Sequence, residues 1–145
     1  TEIWEHEIGS RFQAAPPAKL YKNDSFYAPF ASGSSDWNIM IVCPASMGTL
    51  GRIANGVSDD LICRAADVML KEKRRLIVVP RETPYNLVHL RNMETLALAG
   101  AVICPATPSF YRNPSTIDDL VMTVVERIIA LAGFENDAYR WMGND

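Results

Sequence analysis

"LIVVPRETPYNLVHL", residues 76–90, decides the class of fold. The four apolar residues 76–79 predict a strand that is buried on both faces, as is typical of a parallel sheet. The opposite charges of Arg81 and Glu82 follow, and a helical pattern begins a few residues later. Because open α/β folds bind ligands at the carboxyl ends of their strands, we expect Arg81 and Glu82 to lie at a binding edge.

The same strand-then-helix unit occurs on both sides of this stretch. "NIMIVC" (38–43) predicts a strand covered on both faces and ended by Pro44, and "AVIC" (101–104) predicts a third strand that also ends in proline. Strands that alternate with helices imply a parallel sheet. We therefore predict an α/β fold, a three-layer Rossmann-like or flavodoxin-like parallel sheet with helices on both faces, in a single domain spanning residues 1–145.

Capping residues predict where the helices begin and end. Ser46 is expected to cap a helix that ends near Gly56, and a third helix is expected over about 86–99, closed by Gly100. For the second helix, which carries apolar residues from 61 to 70, the predicted cap is Ser58 or Asp59. The last helix, about 116–132, is predicted to have Ser115 as cap, Asp118 as its capping-box partner and Gly133 as its stop.

Composition narrows the class of protein. The net charge of −3 gives no global reason to expect nucleic acid or an anionic membrane as a partner. No apolar run approaches the length of a membrane span. Cys43, Cys63 and Cys104 form no CxxC pair, and two of them fall in strand-like runs, so we expect reduced core thiols and a cytoplasmic location.

The first predicted binding loop is Ser46-Met47-Gly48-Thr49, at a helix N-terminus. Its hydroxyls and unpaired backbone N–H groups suit a phosphate or the polar edge of a ring, and the alternative is an ordinary capped helix. At the next loop, Arg81 offers a planar fork to a carbonyl, carboxylate or phosphate, and Glu82 can orient it or move a proton. The alternative there is a mutually satisfied ion pair.

The third strand and the last helix supply two further candidates. Tyr111, in the proline-bracketed loop "TPSFYRNP", can donate its phenol O–H to an anion or pack on a neighbouring chain. Arg127 interrupts an apolar stripe on the last helix, and the alternative is that only its stem lies on that stripe. His6 and His89, separated by most of the chain, suggest neither a catalytic triad nor a metal site.

Three segments together closely resemble the flavin prenyltransferases of the UbiX/Pad family: "APFASGSS", "CPASMGTLGRIANGVSDDLICRAADVMLKEKRRLIVVPRETPYNLVHLRNM" and "AGAVICPATPSFYRNPSTIDDLVMTVVERI". The resemblance implies transfer of the dimethylallyl group of dimethylallyl phosphate to N5 and C6 of reduced FMN, without a metal. The product in that family serves UbiD-type decarboxylases. The family also implies a homo-oligomer, usually a dodecamer, with sites between subunits.

The resemblance implies a role for each matching position. The segment Ser46, Met47, Gly48 and Thr49 is similar to the one that holds FMN, and Arg81 to a second flavin contact. Tyr111 and Arg127 resemble the binders of the prenyl phosphate. Ser32 resembles the family residue whose hydroxyl lies beside the flavin. The charged residues Lys71, Arg64 and Glu82 match further residues that line the site. Phe26, at a position where the family favours tryptophan, would present an aromatic face to the allylic cation.

One departure from the family concerns the beginning of the chain. The family starts with a strand and a glycine-rich turn that grips the FMN phosphate, followed by a second strand and loop. Nothing in this sequence matches these parts, so we expect an N-terminal segment of the family to be missing.

Two other functions remain open. Flavin-dependent cysteine decarboxylases share the fold and a "PAS" turn, but have a Pro-x-Met-Asn segment where this chain has "PRETPYNL". The second is a non-catalytic flavin-binding subunit of an aromatic acid decarboxylase.

Overall fold

The computed structural model describes residues 17–135 as a three-stranded parallel sheet with helices on both faces. The strands β1, β2 and β3 lie side by side in chain order, and β1 pairs with β2 from Ile39↔Arg75 to Ala45↔Pro80. The strand bounds are β1 Ile39–Ala45, β2 Arg75–Pro80 and β3 Val102–Ile103. The helix bounds are α1 Met47–Ala54, α2 Leu61–Lys71, α3 Leu87–Leu98 and α4 Ile117–Ala132, with a short 3-10 helix at Pro29–Ala31.

Alternate residues of β2 separate two cores. Leu76 and Val78 face a larger cluster built with α1, α2 and α3, which contains Leu50 and Leu96 at 0% and 1% exposure. Ile77 and Val79 face the opposite side, where Ile128 and Ala132 of α4 cover them. This arrangement confirms the predicted layered α/β fold and the prediction that β2 is buried on both faces.

The first strand differs from its prediction in two ways. β1 continues through Pro44 to Ala45, because a shift of register between Val42 and Ala45 accommodates the proline, so Pro44 does not end the strand. The expectation of burial on both faces is also wrong, since Ile41 and Cys43 are exposed. The reason is that α4 contributes its core residues over β2 and none over Ile41.

Two helices begin one or two residues later than predicted. Asp60, not Ser58 or Asp59, caps α2, and its Oδ1 accepts a hydrogen bond from the Cys63 N–H at 2.7 Å. Thr116, not Ser115, caps α4, and the partner in its capping box is Asp119 rather than Asp118. The predictions for Ser46 as cap of α1 and for Gly133 as the left-handed stop of α4 are confirmed.

The segment before β1 is tied to α2 at both ends of that helix. Asn23 accepts hydrogen bonds from the backbone N–H groups of Leu61 and Ile62, through its carbonyl oxygen and its side chain respectively. At the other end, Arg74 donates to the Gly33 carbonyl oxygen at 2.6 Å. Residues 17–37 therefore lie along α2 rather than apart from the domain.

The three cysteines differ in burial, which tests the expectation of reduced core thiols. Cys63 is buried, Cys104 is partly buried and Cys43 is exposed, and none of the three is in a disulfide. The expectation of a core thiol therefore holds for Cys63, fails for Cys43 and holds only in part for Cys104.

Among the helices of residues 17–135, none combines the length and the apolar character needed to cross a membrane.

Candidate functional site

The candidate flavin-binding residues meet at the carboxyl edge of the sheet. Ala45 and Pro80 are paired neighbours on β1 and β2, so Ser46 and Arg81, which follow them, lie side by side. The Ser46 Oγ accepts the Thr49 N–H at 3.1 Å and lies 3.0 Å from the Thr49 Oγ1. Met47 is partly buried and Gly48 is exposed in the first turn of α1.

Arg81 and Glu82 do not form the ion pair that was the alternative interpretation. Within residues 17–135, Arg81 has no hydrogen bond or ion pair and its side chain is exposed. Glu82 turns back on its own loop, where Oε1 accepts the Thr83 N–H at 3.0 Å. The guanidinium of Arg81 is therefore available at the edge of the sheet.

Tyr111 and Arg127 line one cleft of about 530 Å³ between the connector after β3 and α4. The start of this connector lies next to Arg81, because the Ala106 N–H donates to the Pro80 carbonyl oxygen at 3.0 Å. Arg112 and Glu126 also line the cleft and form an ion pair at 2.7 Å. The cleft thus places a phenol and a guanidinium from two elements around one volume.

Cys104 lines the same cleft beside Arg127. Burial raises the pKa of the Cys104 thiol, and the positive charge of Arg127 acts in the opposite direction. Desolvation outweighs this attraction, so the thiol stays protonated at neutral pH. Cys104 therefore presents a small, neutral thiol to the cleft.

The remaining candidates lie along α2. Arg64 and Lys71 are two helical turns apart, so both project from one exposed face of α2. Arg64 donates from Nε to the Ala31 carbonyl oxygen at 3.3 Å, and Lys71 pairs with Glu72 at 3.5 Å. Ser32 is exposed in a turn of hydroxyl-bearing residues, and Phe26 is 46% exposed in the segment that packs on α2.

Lys71 lies at the opposite edge of the sheet from Arg81. It is the last residue of α2, just before β2 begins at Arg75, and Arg81 follows the end of β2. Lys71 and Arg81 of one chain therefore do not lie at the same edge, and the prediction that Lys71 lines the site requires a second copy of the chain. The candidates form two groups: the carboxyl edge with its cleft, and the exposed face of α2.

Sequence reasoning overlooked Arg52, which connects α1 to the start of α2. Its guanidinium lies 3.3 Å from Asp59 and 3.1 Å from Asp60, and donates to Cys63 Sγ at 3.4 Å. Asp59, Asp60 and Cys63 are grouped closely enough to hold a metal ion, but Arg52 already supplies their positive charge. Spacing along α1 brings Arg52 to within 3.4 Å of the Thr49 Oγ1, but it gives no sign of the contacts with Asp59 and Asp60.

His89 also has a structural partner. It occupies the third position of α3 and takes part in a capping box with Asn86. Its ring contacts Tyr85 edge to face at 6.5 Å. His6 lies outside the described residues.

Comparison with known proteins shows the family. The family model described as Flavoprotein matches residues 1–129. A flavin prenyltransferase UbiX of Methanothermobacter thermautotrophicus is 44% identical over 99% of this chain and 77% of its own length. The chain therefore belongs to the flavoprotein family, among the relatives curated as flavin prenyltransferase UbiX.

Two solved structures are similar as well. The crystal structure of AnUbiX (PadA1) in complex with FMN and dimethylallyl pyrophosphate has a TM-score of 0.88 and 41% identity, covering 100% of this chain and 81% of that one. A dodecameric FMN-dependent UbiX-like decarboxylase from Escherichia coli O157:H7 has a TM-score of 0.81 and 44% identity, covering 85% and 67%. The chain spans 60–68% of the length of four other curated UbiX relatives.

Proposed function

We propose that this chain is a flavin prenyltransferase, or the major part of one, that transfers the dimethylallyl group of dimethylallyl phosphate to reduced FMN. The observation that carries the proposal is the meeting of Tyr111 and Arg127 at one cleft, beside the edge where Ser46 and Arg81 adjoin. The UbiX relatives and the PadA1 complex with FMN and a prenyl pyrophosphate support the same activity.

The residues at the carboxyl edge suit a flavin. Ser46, Met47, Gly48 and Thr49 offer hydroxyls, a small residue and the N-terminus of α1, which favours an electronegative ligand atom. Arg81, at the end of the neighbouring strand, adds guanidinium N–H donors that bond to no acceptor among residues 17–135. Reduced FMN would supply the nucleophilic positions N5 and C6, and these side chains would hold its polar edge in register with the cleft.

The cleft residues suit the departing phosphate. Breaking the allylic C–O bond places negative charge on the phosphate, so preorganised cationic and O–H donors lower the barrier without a metal. Arg127 and Tyr111 are such donors, and in this proposal Lys71 and Arg64 add two further charges to the same ligand. Phe26 would present a ring face to the positive charge that develops on the prenyl carbon.

Ser32 and Glu82 have the two remaining roles in the proposal. Ser32 would place its hydroxyl beside the flavin. Glu82, at the carboxyl edge next to Arg81, would assist the later removal of a proton, for which the released phosphate is also a suitable base. The exposure of Glu82 and its turn toward Thr83 leave one carboxylate oxygen for this task.

The separation of Lys71 from Arg81 supports a site shared between subunits. The two side chains start from opposite edges of one sheet, so a neighbouring copy must bring an α2 face to a carboxyl edge. Phe110, beside Tyr111 on the connector, and Ile117, the first residue of α4, are 69% and 79% exposed and suit burial against another copy. We include in the proposal a homo-oligomer, of twelve subunits as in the E. coli relative, a cytoplasmic location and a product passed to a UbiD-type decarboxylase.

The test is incubation of the purified protein with reduced FMN and dimethylallyl phosphate under anaerobic conditions, followed by mass spectrometry of the released flavin. We expect a flavin heavier by one prenyl unit. Oxidative decarboxylation of a C-terminal cysteine peptide without this adduct would indicate the cysteine decarboxylase function instead. Tight flavin binding without either reaction would indicate a non-catalytic flavin-binding subunit.

A further inference from the structure

The guanidinium of Arg52 is held in one orientation by acidic residues at the start of α2. Nη2 donates to Asp60 Oδ2 at 3.1 Å, and Nε lies 3.3 Å from Asp59 Oδ1. Asp60 is itself fixed, because it caps α2 through the Cys63 N–H. The Arg52 head group is therefore positioned by Asp59 and Asp60, while its side chain remains 38% exposed.

From this position Arg52 also reaches the candidate flavin loop. Its Nη2 donates to the Thr49 Oγ1 at 3.4 Å, and the Thr49 Oγ1 lies 3.0 Å from the Ser46 Oγ. A guanidinium has donors only, so the Thr49 oxygen must accept from Arg52. The Ser46 oxygen already accepts the Thr49 backbone N–H at 3.1 Å.

A count of hydroxyl hydrogens shows what this arrangement leaves for a ligand. Ser46 and Thr49 have one hydroxyl hydrogen each, and one of the two is used in the bond between their oxygens. The other is left to donate outward. Arg52 donates to the Thr49 hydroxyl oxygen. If the Thr49 hydroxyl then donates to the Ser46 oxygen, the two hydrogen bonds run in the same direction, and each polarises and strengthens the other.

Burial indicates which end of this chain meets the ligand. Ser46 is exposed at the carboxyl edge beside Arg81, whereas Thr49 is partly buried against Arg52. We propose that Arg52 is a positioning residue that orients the Thr49 hydroxyl, so that the Ser46 O–H donates to an acceptor oxygen or nitrogen of the bound flavin. This inference rests on the proposed function, since it concerns how the same site holds its flavin.

The test is a double-mutant cycle on FMN affinity, measured by titration of the protein with FMN. Arg52→Met removes the guanidinium and keeps the stem, and Thr49→Val removes the hydroxyl through which Arg52 acts. We expect Arg52→Met to weaken FMN binding about three- to tenfold in the wild-type background, the range for one hydrogen bond, and to have no further effect with Thr49→Val. Thr49→Ser, which keeps the hydroxyl, should restore the dependence on Arg52.

Two measurements separate positioning from a general loss of structure. The visible absorption band of bound FMN should shift in Arg52→Met and Thr49→Val alike, and a merely structural role would not shift it. Arg75→Met is the matched control, because Arg75 also donates a guanidinium hydrogen bond, to the Leu131 carbonyl oxygen at 3.1 Å, but at the far edge of the sheet. It should leave FMN affinity unchanged.

The outcomes distinguish this inference from the proposed function. Additive losses in the double variant, or an unchanged affinity in Arg52→Met, would overturn the positioning role while leaving the proposed function in place. Failure of the wild-type protein to bind FMN would overturn both. A loss of affinity in Arg75→Met equal to that in Arg52→Met would show that any destabilised variant binds weakly, and would overturn the inference as well.

Discussion

Lys71 and Arg81 lie at opposite edges of one parallel sheet, Lys71 at the end of α2 and Arg81 directly after β2. A ligand that contacts both must lie between two copies of the chain. The proposal of a site shared between subunits can therefore be tested with oligomers that mix two variants.

Mixed oligomers of Lys71→Ala and Arg81→Ala subunits should regain activity that neither variant has alone. If each site takes these residues from different subunits, random mixing at equal amounts leaves about a quarter of the sites with both side chains intact. The measurement is prenylated flavin formed after the two variants are dissociated together and reassembled. A mixture no more active than its components would show that one chain supplies both residues.

Arg127→Ala and Arg81→Ala should affect different ligands. Arg127 lines the cleft and Arg81 adjoins Ser46, so the first should weaken the prenyl donor and turnover, and the second should weaken FMN first. We expect a loss in kcat/KM for the donor of about 10²-fold in Arg127→Ala, typical of removing a donor to developing negative charge. Titration with FMN and kinetics with varied donor separate the two effects. Equal losses of both affinities in both variants would contradict this division of roles.

Asp60→Asn should lower stability in a pH-dependent way. Burial alone would raise the pKa of Asp60, but hydrogen bonds from Cys63 and Asn23 and the charge of Arg52 hold its pKa below the usual value. Because the folded pKa is lowered, the stabilisation is present above about pH 4 and disappears as the pH falls through the folded pKa. We expect Asp60→Asn to cost about 1–2 kcal/mol at neutral pH and progressively less as the pH falls through the folded pKa, in urea unfolding.

The control for this prediction is Asp59→Asn. Asp59 also pairs with Arg52, but its side chain is 57% exposed against 19% for Asp60. Its removal should cost no more than about 0.5 kcal/mol, as for other exposed ion pairs. Equal effects of the two substitutions, or a loss in Asp60→Asn that persists in acid, would refute the account.

Leu96→Ala should be strongly destabilising. Leu96 is 1% exposed and joins α3 to the core between α1, α2 and the sheet. Deleting a buried leucine costs about 2–5 kcal/mol, depending on how far the surroundings relax. Leu98, two residues later and 83% exposed, provides the comparison, and its replacement by alanine should change urea unfolding little. A similar midpoint for the two variants would mean that α3 is not packed as described.

The sequence predicted the parallel sheet because an apolar run that is buried on both faces, such as 76–79, has few other uses in a protein of this size. It predicted Ser46 and Gly133 because each is the single good capping residue at its position. Where several good capping residues are adjacent in the sequence, the sequence does not show which of them caps the helix. Ser115 with Asp118 and Thr116 with Asp119 have the same spacing, and Asp119 is selected because it accepts from the backbone of both Ser115 and Thr116.

Candidate site residues come together where each follows a strand end, because parallel strands bring those ends to one edge. Ser46 and Arg81 follow this rule, and Tyr111 reaches the cleft on the connector that leaves the same edge. Lys71 does not, because it ends a helix that returns to the start of the next strand. Arg52 was missed because its role depends on Asp59 and Asp60, whose approach is a tertiary contact that periodicity along one helix does not reveal.

The outer edge of β1 has a consequence for handling the protein in concentrated solution. Within residues 17–135, β1 pairs with β2 alone, and its free edge exposes backbone donors and acceptors next to the 40% exposed Ile41. Such an edge is a template for strand-to-strand association, so an uncovered chain should form insoluble aggregates. Ile41→Lys would place a charge beside that edge and should delay precipitation, which turbidity would report.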